Sequence, residues 1–155
     1  MSGFVPIDLE AAVQAKLRGL AALEHTTGGA VAFAELVSKK LLPARLPAAF
    51  VIAGGLVGNG IRRAGGVSVP VTQTVAVVLV QSHAGDPTGE AARAAVWPLE
   101  WAAIDLLNGW TPAKGYEEFL FQEDRLQGLG GDGRTGAVAC TLTFTTDWTI
   151  PRRRA

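Results

Sequence analysis

Residues 137–150 read AVACTLTFTTDWTI, and this stretch decides the fold. Apolar residues recur at alternate positions and therefore share one face of a strand: Val138, Cys140, Leu142, Phe144, Trp148 and Ile150. Polar residues occupy the opposite face: Thr141, Thr143, Thr145 and Asp147. The alternation predicts a strand that packs one face in a core and turns the other to water or a partner. Trp148 lies on the apolar face, so we expect it in the core.

A second strand precedes this one and pairs with it as a β-hairpin. Residues 119–127 predict the first arm, and residues 128–136 supply the glycine-rich turn. Further upstream, residues 69–81 form the longest strand candidate, which is apolar on both faces from Val75 to Val80. A strand of that kind lies inside a sheet, so we expect helices or another layer to cover both sides of it.

A short strand and a glycine-rich segment come before the longest strand. Residues 48–52 predict the strand, which ends at the glycine pair that follows. Residues 54–66 contain six glycines and two arginines, Arg62 and Arg63. Because glycine has few conformational restrictions, this composition predicts a long flexible loop.

Apolar residues at three- and four-residue spacing predict helices beside these strands. Residues 8–24 predict an amphipathic helix that is capped by Asp8 and closed by the TTGG run at residues 26–29. Residues 33–41 carry a shorter helical pattern.

The clearest helical stripe covers residues 90–108 and contains Pro98. Since proline removes a hydrogen bond and clashes one turn back, the helix is either kinked at Pro98 or starts there. Asn108 and Gly109 supply a left-handed stop. Trp110 follows this stop, where we expect it to plug the helix end against the sheet.

These elements predict an α+β fold with a mainly antiparallel β-sheet packed against two principal α-helices. The length of 155 residues and the mass of 16.2 kDa indicate a single domain over residues 1–155, with a basic tail at residues 152–155.

Composition excludes several classes of protein. Lys and Arg number 14 and so do Asp and Glu, and a formal net charge of zero argues against a general nucleic-acid binder. A single cysteine, Cys140, excludes an internal disulfide and a Cys-based zinc cluster. No stretch approaches the ~20 apolar residues of a membrane span. Asp8 and Glu10 stand where a signal peptide would carry lysines. We therefore expect a soluble domain of the cytosolic type.

Two stretches suggest enzyme chemistry, but neither has the surroundings that the chemistry requires. Residues 50–58 (FVIAGGLVG) look like a degenerate dinucleotide-binding turn, yet the following glycines predict no helix to meet a pyrophosphate. Ser82, His83 and Asp86 are close neighbours on one extended segment, which favours a turn over a catalytic triad. No His/Asp/Glu cluster has metal-ligand spacing. We assign no catalytic, cofactor-binding or metal-binding residue.

Two groups of residues are candidates for contacts with other molecules. Trp97 and Trp101 lie four residues apart on a helix face offset from the main apolar stripe, as a second packing surface or a subunit contact. Arg152, Arg153 and Arg154 close the chain, either as a solvated tail or as a contact with nucleic acid or an acidic neighbour.

A succession of short motifs carries a family resemblance. Residues 106–112 read LLNGWTP, a Phe-Leu-Phe run and a glycine-rich turn follow, and residues 144–147 read FTTD. The succession resembles the tail terminator family of Mu-like and lambda-like phages and prophages, which shows a Leu-x-Gly-Trp-x-Pro helix end and a late Phe-x-Thr strand. The opening helix, the PAAFV strand at residues 47–51 and Gln73 also fit in order, so the resemblance spans most of the chain.

The resemblance implies a structural virion protein and no enzyme. Such a protein forms a hexameric ring that caps the tail tube, ends tube polymerisation and presents the head-tail joining surface. The implied partners are further copies of the chain, the tail tube protein, head-tail connector or neck proteins and passing DNA, with no membrane and no cofactor. The implied place is the neck end of the tail in the virion, after assembly in the host cytoplasm.

The candidate contact residues and the family resemblance together predict an assembly interface. We expect it to contain Arg62, Arg63, Trp97, Trp101, Arg152, Arg153 and Arg154. We expect the arginines to contact the tube, a neighbouring subunit or DNA. Two alternatives stay open. One is another phage neck or tail-completion protein, and the other is a small cytosolic enzyme or ligand-binding domain.

Overall fold

One five-stranded sheet carries three helices in the computed structural model, which describes residues 4–39, 41, 43, 45–59, 68–81, 90–129 and 137–151. The elements follow the order α1 (Leu9–Leu17), a 3₁₀ turn (Ala21–Leu23), β1 (Thr27–Gly29), α2 (Ala30–Ser38), β2 (Ala48–Gly58), β3 (Val69–Gln81), α3 (Glu90–Leu107), β4 (Leu120–Leu129) and β5 (Ala137–Ile150). The strand order is β1-β2-β3-β5-β4.

The predicted α+β class is confirmed, with two differences in detail. β1 pairs parallel with β2, whereas the other three neighbouring pairs are antiparallel, so the sheet is mixed. A third helix, α2, has nine residues, as many as α1. This helix overlaps the shorter helical pattern predicted at residues 33–41, so the described residues form three helices of nine residues or more where two principal ones were predicted.

The helices lie on opposite faces of the sheet. The face that packs against α1 and α3 is here called the main face, and the side chains buried there come from both helices and from three strands. They include Val13, Leu17, Val51, Val75, Leu79, Val96, Leu107, Leu142 and Phe144. On the opposite face, Phe33 and Leu36 of α2 pack against a smaller cluster: Ala48, Phe50, Val78, Val80 and Ala139.

β3 has the bounds and the central place that its apolar run predicts. It pairs with β2 on one side and, over all 13 of its residues, with β5 on the other. Val77 and Leu79 face the main core, while Val78 and Val80 face the α2 cluster. The prediction that both sides of this strand are covered is confirmed.

The predicted hairpin is confirmed as well. β4 pairs antiparallel with β5, and the apolar set from Val138 to Trp148 on β5 is buried. Ile150, at the end of that set, is exposed. Thr146 lies on the apolar face and is buried, and its hydroxyl donates a hydrogen bond of 2.8 Å to the carbonyl oxygen of Glu117. Residues 130–136 of the turn lie outside the described residues.

α1 is shorter than predicted. Asp8 caps it as expected, because its carboxylate accepts from the amide of Ala11 at 3.2 Å. The helix ends at Leu17 instead of continuing to residue 24, and Leu23 reaches the core from the 3₁₀ turn. The turn directs residues 27–29 alongside β2 as strand β1. A Thr-Gly-Gly strand has no apolar alternation, so periodicity predicted only a helix end there.

β2 is longer than predicted, and the prediction that the flexible loop starts at Gly54 is wrong. The strand continues to Gly58 across a register shift between Ala53 and Leu56. Gly54 permits this pairing, because a Cβ atom there would stand 2.9 Å from the carbonyl oxygen of Thr74 on β3. The remainder of the loop, at residues 60–67, lies outside the described residues.

α3 continues through Pro98, so the helix starts before the proline. The end of the helix is hydrogen-bonded to the beginning of β4 and to the residue before it, and this set of bonds is here called the clasp. Gly109 has a φ of 82° and ends the helix as predicted. Its amide donates to the carbonyl oxygen of Phe119 at 2.7 Å, and the amide of Phe119 donates back to the carbonyl oxygen of Trp110 at 2.9 Å. Asn108 Oδ1 also accepts from the amide of Phe121 at 3.0 Å.

Two tryptophans have the places that the sequence predicted. Trp110 is partly buried and packs edge-on against Phe119, with ring centroids 5.2 Å apart, so it plugs the end of α3. Trp148 is in the core, where its Nε1 donates to Gln73 Oε1 at 3.1 Å. Its ring also packs against Phe4 and Tyr116, which ties the amino-terminal segment to the sheet.

Gly115→Ala should destabilise the protein more than Gly109→Ala. Both glycines have a positive φ, of 96° and 82°, so each alanine costs about 1–2 kcal/mol of backbone strain. Only at Gly115 would the new methyl group also collide with the ring of Phe4, whereas nothing lies within 4 Å at Gly109. Urea denaturation measures both variants. Equal losses would contradict the packing of Phe4 on Gly115.

Candidate assembly surfaces

Trp97 and Trp101 form an exposed aromatic surface on α3, here called the tryptophan face. Their side chains are 57% and 58% exposed, one turn apart on the side of the helix that points away from the sheet. The helix turns Val96, Ala103 and Leu107 into the core instead. The two tryptophans therefore take no part in the described core, and their place at an assembly interface stays a prediction.

Exposed apolar residues also occur on α2 and just beyond it, beside the exposed ion pair of Glu35 and Lys39. Val31 is 81% exposed and Val37 is 60% exposed, and Leu41, just beyond the helix, is exposed as well. These three residues are here called the α2 ridge. The inner side of the same helix packs Phe33 against Phe50 with ring centroids 5.4 Å apart. Since α2 and α3 cover opposite faces of the sheet, the α2 ridge and the tryptophan face lie on opposite sides of the molecule.

The third surface is the polar side of β3 and β5, here called the threonine face. Thr74 pairs directly with Thr145, and Thr72 with Asp147. The hydroxyl of Thr72 donates to Asp147 Oδ1 at 2.6 Å and accepts from Asn59 Nδ2 at 2.9 Å. Among the described helices, only α2 lies on this side, against β1 and β2. The face therefore stays partly exposed, as the alternation along β5 predicts.

The edge strand β4 borders the threonine face. It ends the sheet order, so its outer backbone groups have no partner strand in the described sheet. Leu120 and Leu126 on this strand are exposed, and Glu123 and Arg125 share the threonine side with the paired residues of β5. An unpaired edge of ten residues is a surface on which a second chain can add a strand.

A polar cluster, buried except for Asp124, lies beneath α3 on the main face. Glu100 of α3, Asp124 of β4 and Cys140 of β5 place one ligand-type atom each within 4.8 Å of one another. Burial raises the pKa of the Glu100 carboxyl to about 7, and the neighbouring Asp124 raises it in the same direction. Burial also raises the pKa of the Cys140 thiol to about 12. Sequence spacing could not reveal the cluster, because three separate elements supply its members.

The remaining predicted interface residues lie outside the described residues: Arg62, Arg63, Arg152, Arg153 and Arg154. The same holds for the segment that contains Ser82, His83 and Asp86. The structure therefore brings Trp97 and Trp101 together and leaves the arginine predictions untested.

Two grooves lie on the described part of the chain, and the smaller one, of about 320 Å³, is lined by His25, Arg45 and Phe50 among others. The larger groove, of about 500 Å³, runs past Glu117, Glu118, Asp147 and Trp148, and neither histidine nor cysteine lines it. Residues 50–58 all belong to β2, which begins at Ala48. They therefore form a strand and not a phosphate-binding turn. No described helix is long and apolar enough to cross a membrane.

Comparison with known proteins identifies the class of this protein. The fold resembles a chain in a solved structure entitled "Virion of native gene transfer agent (GTA) particle", with a TM-score of 0.53 and 19% sequence identity. The match covers 92% of this chain and 95% of that chain. No curated protein sequence matches.

The sequence model of the phage tail terminator protein family matches residues 3–155. The chain therefore belongs to the phage tail terminator protein family, and the resemblance noted in the sequence is confirmed. A member of this family is a structural protein of the phage tail.

Replacing both Trp97 and Trp101 by phenylalanine should remove most of the collisional quenching of tryptophan fluorescence by iodide. Iodide reaches exposed indoles, and these two are more than half exposed, whereas Trp148 is buried. Trp148→Phe is the matched control and should raise the quenchable fraction instead. Unchanged quenching in the double variant would mean that other parts of the chain cover the tryptophan face.

Proposed function

We propose that this protein ends the polymerisation of a phage tail tube by capping it with a ring of identical subunits, six in number. The ring then presents the surface to which the head-tail connector or neck proteins join. Family membership supports the general role. The single observation that carries the ring is the placement of two exposed apolar surfaces, the tryptophan face and the α2 ridge, on opposite sides of one sheet.

A ring requires a contact between two different surfaces of neighbouring subunits, repeated until it closes. The tryptophan face of one subunit packs against the α2 ridge of the next. Trp97 and Trp101 supply large aromatic area, which dominates the energy of many interfaces. The aliphatic surface comes from Val31, Val37 and Leu41. Aromatic side chains pack well against surfaces of this kind. Both surfaces are then removed from water in the assembled state.

The threonine face and the β4 edge remain for the axial partners, the tail tube protein on one side and the connector on the other. Partly exposed hydroxyls and an open strand edge provide hydrogen-bonding groups without a large apolar area. Such surfaces suit partners that dock after the ring contacts have formed.

The arginines contact the tube, a neighbouring subunit or DNA that passes through the ring: Arg62, Arg63, Arg152, Arg153 and Arg154. In this proposal residues 1–155 act as one tail-terminator domain with a basic tail at residues 152–155. The protein is assembled in the host cytoplasm and stays in the virion at the neck end of the tail. Charge reversal of both arginine groups should reduce assembly, and intact assembly in those variants would refute this role.

Electron microscopy of a lysate from the phage that lacks this gene tests the function directly. Headless tails of uncontrolled, excessive length are expected, because nothing stops the tube. Tails of normal length that fail to join heads would instead favour a neck protein, the alternative that the sequence left open. Intact virions would overturn the structural role and return attention to an enzyme or a ligand-binding domain.

Trp97→Ser with Trp101→Ser should abolish tail termination while leaving the free subunit folded. The two side chains contribute to the ring contact and not to the described core, so the free energy of unfolding should change little. Complementation of the deleted gene, followed by measurement of tail length, reports on function, and urea denaturation reports on folding.

Val5→Ser is the matched control, since Val5 is an exposed apolar residue that belongs to neither α2 nor α3. It should restore normal tails. Normal tail length in the double tryptophan variant would exclude the tryptophan face from the ring contact.

A further inference from the structure

Three side chains that bind metals in other proteins meet between α3 and the β4–β5 hairpin. Glu100 is on the helix, Asp124 is on the edge strand, and Cys140 is on the strand beside it. Their carboxylate and thiol atoms all lie within 4.8 Å of one another. Asp124 and Cys140 occupy the main face of the hairpin, because Asp124 pairs with Leu142 and Cys140 lies two residues from Leu142 on the same strand.

Glu100 is the unusual member of this group. Its side chain is only 4% exposed, and its Oε1 atom has no hydrogen-bond partner among the described residues. A buried carboxyl oxygen without a partner is unfavourable, since it has lost its hydration and gained no replacement. The oxygen belongs to a carboxyl that lies against a second carboxyl and a thiol. A cation placed among the three groups would supply the missing partner.

We propose that Glu100, Asp124 and Cys140 bind one divalent cation of the zinc class. The donor set favours this class, because Zn²⁺ accepts both thiolate sulfur and carboxylate oxygen, whereas Mg²⁺ and Ca²⁺ prefer oxygen alone. Asp124 is exposed, so it opens the site to solvent and leaves room for a water molecule as the fourth ligand. The single cysteine excludes a multi-cysteine zinc site but not this mixed one.

The distances require only a small contraction. Ligand atoms around a tetrahedral Zn²⁺ stand about 3.3–3.8 Å apart, given metal–ligand bonds of about 2.0–2.3 Å. Asp124 is the exposed member of the cluster, so its side chain has the freedom to move towards the two buried ligands. Binding releases the thiol proton of Cys140 together with any proton on Glu100, and the divalent cation offsets two of the three negative charges that the ligands then carry.

The consequence for the fold is a link between α3 and the hairpin. Glu100 lies between Trp97 and Trp101 in sequence, and it is buried whereas the two tryptophans are exposed. A cation at Glu100 would therefore hold the helix that carries the tryptophan face against β4 and β5. The metal site does not depend on the proposed ring, because all three ligands belong to one chain.

Titration of the EDTA-treated full-length protein tests this proposal. We expect one equivalent of Zn²⁺ to bind by isothermal titration calorimetry and to raise the melting temperature. One equivalent of Co²⁺ should produce a thiolate-to-cobalt charge-transfer band in the near ultraviolet. Cys140→Ser should abolish that band. Glu100→Gln and Asp124→Asn should each weaken Zn²⁺ binding by at least about tenfold, since even the loss of an outer partner costs that much.

Asp105→Asn is the matched control, because Asp105 is an exposed carboxylate on the same helix and is not part of the cluster. It should bind Zn²⁺ as the unmodified protein does. Asp124→Asn changes an exposed side chain and should fold normally, so it decides the outcome even if changes at Glu100 or Cys140 disturb folding. Absence of a binding heat and of the cobalt band, or unchanged binding in Asp124→Asn, would overturn the proposal. If the metal proposal fails, excessively long tails in the phage that lacks this gene would still support the proposed role in ending tail-tube polymerisation.

Discussion

The antiparallel pairing of β3 with β5 is the constraint on which the rest of the structure depends. Every residue of β3 has a partner on β5, and α3 packs on these two strands, whereas α1 packs mainly on β1 and β2. The pairing gives the sheet two different faces along its length. Where Val78 and Val80 are apolar, α2 covers the second face, and where threonines replace them, that face stays partly exposed.

The clasp at the end of α3 attaches the helix to the sheet. Gly109, Trp110 and Phe119 exchange two backbone hydrogen bonds, and Asn108 adds a third to Phe121. These bonds fix where α3 ends relative to the start of β4. The helix is therefore held with Glu100 towards the hairpin and the tryptophan face towards solvent. The LLNGWTP motif that suggested the family is thus the part of the chain that sets the orientation of both features.

Two features of this molecule contribute little to the stability of the folded subunit. They are the apolar residues exposed on α3 and α2 and the buried carboxyl of Glu100. Two half-exposed tryptophans and an exposed aliphatic ridge contribute little to the stability of a single subunit, so their place is understandable in an assembly. In the Glu100 cluster, burial and the neighbouring Asp124 raise the pKa of the Glu100 carboxyl to about 7, so its charged form is unfavourable there. Under the two proposals, a second chain covers the exposed apolar residues, whereas a cation within one chain neutralises the Glu100 cluster.

The sequence by itself determined β3, β5, the hairpin, most of α3 and the core position of Trp148, because each has a strong periodic or glycine signal within one segment. It also carried the family motif. Only the tertiary structure decided the parallel strand β1, the early end of α1 and the extension of β2 to Gly58, because backbone pairing with a distant strand overrides weak local preference. The cluster of Glu100, Asp124 and Cys140 is of the same kind: a helix and two strands contribute one member each, and no spacing along the chain records their approach.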